Sequence, residues 1–142
     1  MDDHQKTLTN LLADLRNAGI FEHEEHELAP EQKSCLEGYF LDQDLPADEE
    51  LYSVTIAMMR YARTVALANL YRFEDSEREK AEFYDALARV PESRMLFNNS
   101  CRDILKVAEQ MMLGELAYHK CEHEAAFEHL RQSVEIDDDL PY

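Results

Sequence analysis

Apolar side chains recur every three or four positions along most of the chain, the spacing that collects them on one face of an α-helix. No stretch of useful length alternates apolar and polar residues as a half-buried strand does. The longest helical pattern, at about 49–70, is apolar around most of its circumference, so we expect it to have helix neighbours on two sides. The pattern therefore predicts an all-α protein, with helices at about 3–18, 30–40, 49–70, 75–89, 101–119 and 123–136.

The same spacing predicts which side chains of each helix point inward. In the short helix that Pro30 opens, they are Cys35, Leu36, Tyr39 and Phe40. In the helix at 75–89 they are Ala81, Tyr84, Leu87 and Ala88. In the last helix they are Ala126, Phe127, Leu130 and Val134. Together with the apolar positions of the two longer helices, these residues are the expected core.

Helix-breaking residues are few, since the chain has only 3 Gly and 4 Pro, and this scarcity favours long helices. Pro91 should end the helix at 75–89 near Val90, because a residue before proline disfavours the helical conformation. Ser100 and Asp103 have the spacing of a capping box, which predicts a helix start directly after Ser100.

The breaks divide the chain into two regions. Residues 1–48 are predicted to hold N-terminal helices and acidic connectors, and they are a candidate cap for the remainder. Residues 49–142 are predicted to form two helical hairpins, at 49–89 and 101–136. A polar turn at 120–122 should join the two helices of the second hairpin.

The second hairpin carries a distinctive order of small and apolar residues. It reads Leu113-Gly114-x-x-Ala117, then Ala126-x-x-x-Leu130, with Pro141 after the helix. This order resembles the tetratricopeptide repeat, whose pattern is W-x₂-L-G-x₂-Y, A-x₃-F and P, and the resemblance covers residues 110–141. Small residues at Gly114 and Ala126 would let the two helices approach closely. The departures from the family pattern are at Gln110, Ala117, Cys121 and Asp138.

The first hairpin is similar to a degenerate copy of the second, in which Tyr71 corresponds to Cys121, 50 residues later. The run 51–142 also resembles one segment of larger multi-repeat proteins of this superfamily. The resemblance implies antiparallel helical hairpins stacked as a short TPR-like α-solenoid. It also implies that Cys121 replaces the usual turn glycine, at a backbone position that prefers a positive φ.

A solenoid of this kind curves, and the first helix of each hairpin lines a concave groove that in this family usually binds peptides or partner helices. The resemblance therefore implies a protein–protein interaction module that acts as a scaffold. Its expected binding residues are Met58, Tyr61, Asn69, Met111, Glu115, Tyr118 and His119. Since these positions are mostly apolar or acidic, we expect a basic or amphipathic partner. Some family members bind the C-terminal carboxylate of a peptide with Lys, Arg and Asn side chains. Because the positions named here are mostly apolar or acidic, such a ligand is not expected. A homodimer through an uncapped C-terminal hairpin is a further expectation.

Acidic residues outnumber Lys and Arg by 31 to 14, so the net charge is −17 and the pI is about 4.6. A field of this sign repels nucleic acid and anionic lipid and attracts basic peptides, although acidic side chains also simply keep a helical surface soluble. The charge leads us to expect no nucleic-acid partner. Because no run approaches 18 apolar residues, we also expect no membrane partner. Three well-separated cysteines without a CxxC pair indicate free, mostly buried thiols in a reducing compartment, and hence a cytoplasmic protein.

The stretch AYHKCEHEAAFEHL, at 117–130, is the leading candidate for metal chemistry, with His119, Cys121 and His123 as candidate ligands. The repeat pattern places these three residues around an inter-helix turn, so we expect a polar turn with no metal and no cofactor. A second cluster, EHEEHE at 22–27, lacks the H-E-x-x-H spacing of metalloproteases.

The sequence contains no G-x-S-x-G motif, and its three glycines cannot build a phosphate-binding loop. We therefore expect the protein not to be an enzyme. Two alternatives stay open at the level of sequence. One is a metal-responsive regulatory module that uses the turn at 119–123, and the other is an enzyme of unrecognised type.

Overall fold

The computed structural model describes residues 28–141, and this part of the chain is mostly helical. The all-α prediction is therefore confirmed for the described residues, whereas the predicted helix at 3–18 and nearly all of the connector at 21–28 lie outside them. The short elements are helix α1 (Pro30–Leu36), a π-helical turn (Glu37–Leu41) and a 3₁₀ turn (Glu50–Tyr52). Two short strands follow later in the chain, β1 (Met95–Leu96) and β2 (Asn99–Ser100). The four long helices are α2, α3, α4 and α5, at Ser53–Asn69, Phe73–Arg89, Cys101–His119 and His123–Asp138.

Local sequence signals account for several helix ends. Helix α3 ends at Arg89, and Val90 is already extended (φ −69°, ψ 120°), which confirms the effect expected of Pro91. Helix α4 begins directly after Ser100, as expected, but the Ser100 hydroxyl makes no capping hydrogen bond.

The capping-box prediction is therefore wrong in its chemistry. Asp103 instead accepts a hydrogen bond from Lys106, one helical turn further on, with Nζ and Oδ1 2.7 Å apart. A cation three residues later competes directly for the carboxylate that a capping box would use.

The long helices form two hairpins, α2 with α3 and α4 with α5, and α2 also packs against α4. Helix α2 therefore has helix neighbours on two sides, as its apolar circumference predicts. The π-helical turn also packs on α2, because the Arg63 guanidinium donates to the carbonyls of Phe40 (Nε to O, 3.1 Å) and Gln43.

The core lies where the two hairpins meet. The first hairpin and the residue that follows it contribute Ile56, Ala57, Phe83, Ala86 and Val90, and α4 contributes Cys101, Leu105 and Met112. All of these residues belong to one compact unit, Gln32–Tyr142. Burial of apolar surface from both hairpins is the main force that holds them together.

Helix α3 turns a different face to the core from the one predicted. Phe83 and Ala86 are fully buried, whereas the predicted Ala81, Tyr84 and Ala88 are exposed and Leu87 alone is half-buried. Phenylalanine gains more from complete burial than tyrosine, since a buried hydroxyl needs a hydrogen-bonding partner. Phe83 and Tyr84 are adjacent, so a shift of the predicted buried face by one residue replaces the tyrosine ring with the phenylalanine ring.

Helix α5 departs from its predicted face as well. Ala126 is buried and Leu130 half-buried, as expected, but Phe127 and Val134 are exposed. Ser133 takes the inward position and donates its hydroxyl to the Val107 carbonyl of α4 (3.3 Å). The inward face of α5 is therefore narrow and built from small residues.

The predicted inward face of the short N-terminal helix is also wrong for three residues, because Cys35, Tyr39 and Phe40 are exposed and only Leu36 is half-buried. Two of the three free cysteines, Cys35 and Cys121, are exposed, so the expectation of mostly buried thiols is wrong too. These side chains lie in a short helix and in turns, where few neighbours are available to cover them.

A small β-hairpin, absent from the sequence-based expectation, connects α3 to α4. It pairs Met95 with Ser100 and Leu96 with Asn99 in antiparallel register. Each strand has only two residues, which is too short to produce a recognisable alternation of apolar and polar positions.

The two inter-helix turns have the same backbone geometry at a spacing of 50 residues. Tyr71 and Cys121 both have positive φ, at 57° and 63°. The amide following each of them bonds to a carbonyl five residues back, from Arg72 to Leu67 and from Glu122 to Ala117, and both distances are 2.9 Å. This is the six-to-one bond of a Schellman motif, which normally has glycine at the position of positive φ. The correspondence of Tyr71 with Cys121, and the positive φ expected of Cys121, are confirmed.

Side-chain contacts inside each hairpin follow the same 50-residue relation. In the first hairpin Arg60 of α2 donates to Glu79 of α3, with Nη1 3.0 Å from Oε1. In the second hairpin the equivalent residues are Gln110 and His129, whose Oε1 and Nδ1 atoms are 2.7 Å apart. The two hairpins are therefore copies of one arrangement with different side chains.

The close approach of α4 to α5 depends on Gly114. A Cβ atom at this position would lie 2.7 Å from both Cγ and Cδ2 of Leu130 and 3.2 Å from the Ala126 carbonyl oxygen. Cβ contacts of 2.7 Å essentially never occur in proteins, so a side chain of any size would require Leu130 and the facing part of α5 to shift. The expectation that Gly114 and Ala126 permit close packing is confirmed.

Candidate binding surface

The seven predicted binding residues all lie on α2 or α4, the first helices of the two hairpins. Met58, Met111 and Tyr118 are the exposed apolar members, at 39%, 40% and 44% of their accessible surface. Helices α2 and α4 pack against each other, so these residues lie on neighbouring helices. We call these residues, with Glu115 included, the α2–α4 face.

The predicted Asn69 has a structural contact. It lies at the C-terminal end of α2, is half-buried, and donates its amide to the Val65 carbonyl (Nδ2 to O, 2.9 Å). This bond adds a side-chain donor to a carbonyl in the last turn of α2. Asn69 therefore contributes to the end of α2 as well as lying near the predicted surface.

Glu115 of α4 has a polar neighbour on α2, Tyr61, and another on its own helix, His119. Tyr61 is half-buried against the core, and burial together with the negative charge of Glu115 raises the pKa of its hydroxyl. The Glu115 carboxylate also lies 3.5 Å from His119, measured from Oε2 to Nε2. These contacts place one carboxylate among otherwise apolar and aromatic side chains.

A chain of ring contacts runs from the first inter-helix turn to the start of α5. The ring of His119 meets the rings of Tyr71 and Tyr118 edge-on, with centroids 5.8 Å and 5.6 Å apart. Tyr118 in turn contacts His123 at 5.5 Å, and His123 stacks on Phe127 at 6.4 Å. Such contacts between aromatic rings stabilise a packed arrangement by about 0.5–1.5 kcal/mol each. The sequence prediction included Tyr118 and His119 but missed Tyr71 and Phe127.

The candidate metal ligands are held by these same contacts. His119 faces Glu115, His123 stacks on Phe127, and Cys121 is exposed at the turn between them. Within residues 28–141, no group of three or more His, Cys, Asp or Glu side chains is arranged to hold a metal ion.

A charged cleft of about 440 Å³ lies between the π-helical turn and the first hairpin, and none of the seven predicted binding residues lines it. Its lining residues are Leu41, Asp42, Arg63, Leu67, Arg72, Asp75, Arg78 and Glu79. A hydrogen bond from Arg72 is the largest of the effects that hold the pKa of Asp75 below its ordinary value. Three guanidinium groups face three carboxylates, so the lining has no net charge with which to attract an ion of either sign.

Two polar contacts join α3 to the second hairpin. Lys120 bonds to Glu77 (Nζ to Oε1, 2.6 Å), and this bond is the main cause of the lowered pKa of the Glu77 carboxyl. The Tyr84 hydroxyl donates to Glu109 of α4 at 2.9 Å, and burial together with this hydrogen bond raises the pKa of Tyr84 well above its ordinary value. The interface between the two hairpins thus has the apolar core at its centre and the polar contacts of Glu77 and Tyr84 at its edge.

No protein-family model, curated protein or solved structure gives a significant match to this chain. The resemblance to tetratricopeptide repeats therefore rests on the residue pattern at 110–141 and on the turn geometry that the two hairpins share. Among the helices of residues 28–141, none is both long enough and apolar enough to cross a membrane.

Proposed function

We propose that this protein is a protein–protein interaction module of the tetratricopeptide type, which binds a peptide or a partner helix along the α2–α4 face. In this proposal the two hairpins stack as a short α-solenoid, and their first helices line a concave groove. The observation that carries the proposal is the exposure of Met58, Met111 and Tyr118 on two helices that pack side by side.

The chemistry of this face favours a particular kind of ligand. Methionine and tyrosine side chains adapt to different partners and bury a large area at a modest cost in entropy. Glu115 adds a negative charge among them, and the whole chain has a net charge of −17. A basic or amphipathic segment therefore suits the face better than an acidic one.

Selection of peptides from a random library against the full chain tests this proposal. Peptides that bind the α2–α4 face should lose about tenfold or more in affinity for the variants Met111→Glu and Tyr118→Ala, because both changes remove apolar contact area. Met95→Glu is the matched control, since Met95 is also exposed but lies in the β-hairpin. Selected peptides that bind Met111→Glu as tightly as the natural chain would contradict the proposal, and so would a library that yields no binder.

A further inference from the structure

The 50-residue correspondence between the hairpins shows which surface of α5 is equivalent to the surface of α3 that contacts the second hairpin. In the first hairpin, Glu77 and Tyr84 of α3 make the polar contacts to the second hairpin. The 50-residue relation places Phe127 and Val134 of α5 at the two equivalent positions. The side of α5 that carries these residues therefore corresponds to the side of α3 that makes polar contacts to the neighbouring hairpin.

The side chains at these two positions of α5 are more apolar than their equivalents in α3. Phe127 and Val134 are 51% and 60% exposed, where α3 has a glutamate and a hydrogen-bonded tyrosine. They are seven residues apart, so they lie on one face of the helix about 10 Å apart along its axis. Leu130 lies between them, with its side chain over Gly114. We call these three residues the α5 stripe.

The charges around the α5 stripe distinguish between two candidate ligands, a second copy of this chain and a partner protein that carries cations. Helix α5 contains five carboxylates and one guanidinium group, so its formal charge is −4 with its histidines neutral. The guanidinium, that of Arg131, is already paired with Glu128 at 2.9 Å. A second copy of this chain, docked through a two-fold axis, would place two such helices against each other and would be repelled. At the interface between the two hairpins, by contrast, a cation of the second hairpin, Lys120, neutralises the edge.

From this placement we infer that the α5 stripe is a docking site for an amphipathic helix of a partner protein, one that carries Lys or Arg beside its apolar face. The apolar residues of the partner, at helical spacing, cover Phe127, Leu130 and Val134, and its cations meet the carboxylates of α5. This site shares no residue with the α2–α4 face, although His123 contacts both Tyr118 and Phe127, and the inference does not depend on the function proposed for that face.

A synthetic helical peptide of leucine and lysine, with leucine at positions i, i+3, i+4 and i+7, is the probe for the test. Its affinity for the full chain is measured by calorimetry, beside a version in which glutamate replaces lysine. The double variant Phe127→Ser with Val134→Ser should bind the lysine peptide about tenfold or more weakly, because it removes the exposed apolar contacts. The control Met95→Ser removes an equally exposed apolar side chain elsewhere and should leave the affinity unchanged. Binding should weaken with added salt, and the glutamate peptide should not bind.

Several results would overturn the inference. Equal affinity of the natural chain and the double variant would mean that net charge alone attracts the peptide, and no binding at all would mean that the stripe is not a helix site. A loss of affinity in Met111→Glu, but not in the double variant, would assign the peptide to the α2–α4 face instead. A dimer in sedimentation velocity that the double variant dissociates would assign the stripe to a second copy. Circular dichroism checks that each variant is folded, which is expected for Phe127, Val134 and Met95 because these side chains are more than half exposed.

Discussion

Replacement of Gly114 by alanine is the most direct test of the packing between α4 and α5. The new Cβ would lie 2.7 Å from Leu130 Cγ and 3.2 Å from the Ala126 carbonyl oxygen. The leucine can shift, but the carbonyl belongs to the backbone of α5, which would have to move by a few tenths of an ångström. Overpacking of this kind destabilises proteins by about 1–3 kcal/mol, whereas alanine in place of glycine favours a helix by about 1 kcal/mol. We therefore expect Gly114→Ala to lower the free energy of unfolding by up to about 2 kcal/mol, the overpacking cost less the gain in helix propensity.

Urea denaturation followed by far-UV circular dichroism measures this change, and Gly38→Ala is the matched control. A Cβ at Gly38 would meet no atom within 4 Å, so this variant should be stabilised by about 0.5–1 kcal/mol through the lower entropy of its unfolded chain. Leu130→Ala in the Gly114→Ala background should restore about 1 kcal/mol relative to the sum of the single changes, because the two side chains compete for one space. If Gly114→Ala is stabilised as much as Gly38→Ala, the reasoning about helix approach is wrong.

Two further predictions concern the turn and the polar edge. Cys121→Gly should raise the free energy of unfolding by about 0.5–1 kcal/mol, because Cys121 has a φ of 63°, which is unfavourable for an L-residue. Cys121→Ala should not raise it, and equal denaturation midpoints for the two variants would refute this prediction. The pKa of Tyr84 is raised in the folded protein, so its stabilising effect is complete below the ordinary tyrosine pKa and is lost as pH rises through the folded value. Tyr84→Phe should therefore reduce the loss of stability on the alkaline side of the pH curve, and an unchanged alkaline limb would contradict the assignment.

Part of the candidate binding surface could be predicted from sequence. Helical spacing and the repeat pattern place Met58, Met111 and Tyr118 on the first helices of the hairpins, and all three are exposed there. The contacts of Tyr71 and Phe127 with the histidine rings were missed. They depend on how close the two inter-helix turns lie to each other, and no spacing within a single helix encodes that distance.

The sequence by itself determined the helices and their turns, because these depend on neighbours a few residues away. Pro91 ends α3, helical spacing gives α4 its bounds, and the repeated pattern identifies Tyr71 and Cys121 as equivalent turn residues. Gly114 likewise indicates close packing through its lack of a side chain.

The tertiary structure alone decided which face of each helix is buried. Phe83 and Tyr84 are adjacent and both apolar enough for a core, and only the shape of the space beside α2 and α4 selects Phe83. In α5, the nearness of α4 favours the small residues Ala126 and Ser133 and leaves Phe127 outside. Periodicity defines an apolar stripe, but burial depends on the volume and the hydrogen-bonding groups that the neighbouring helix presents.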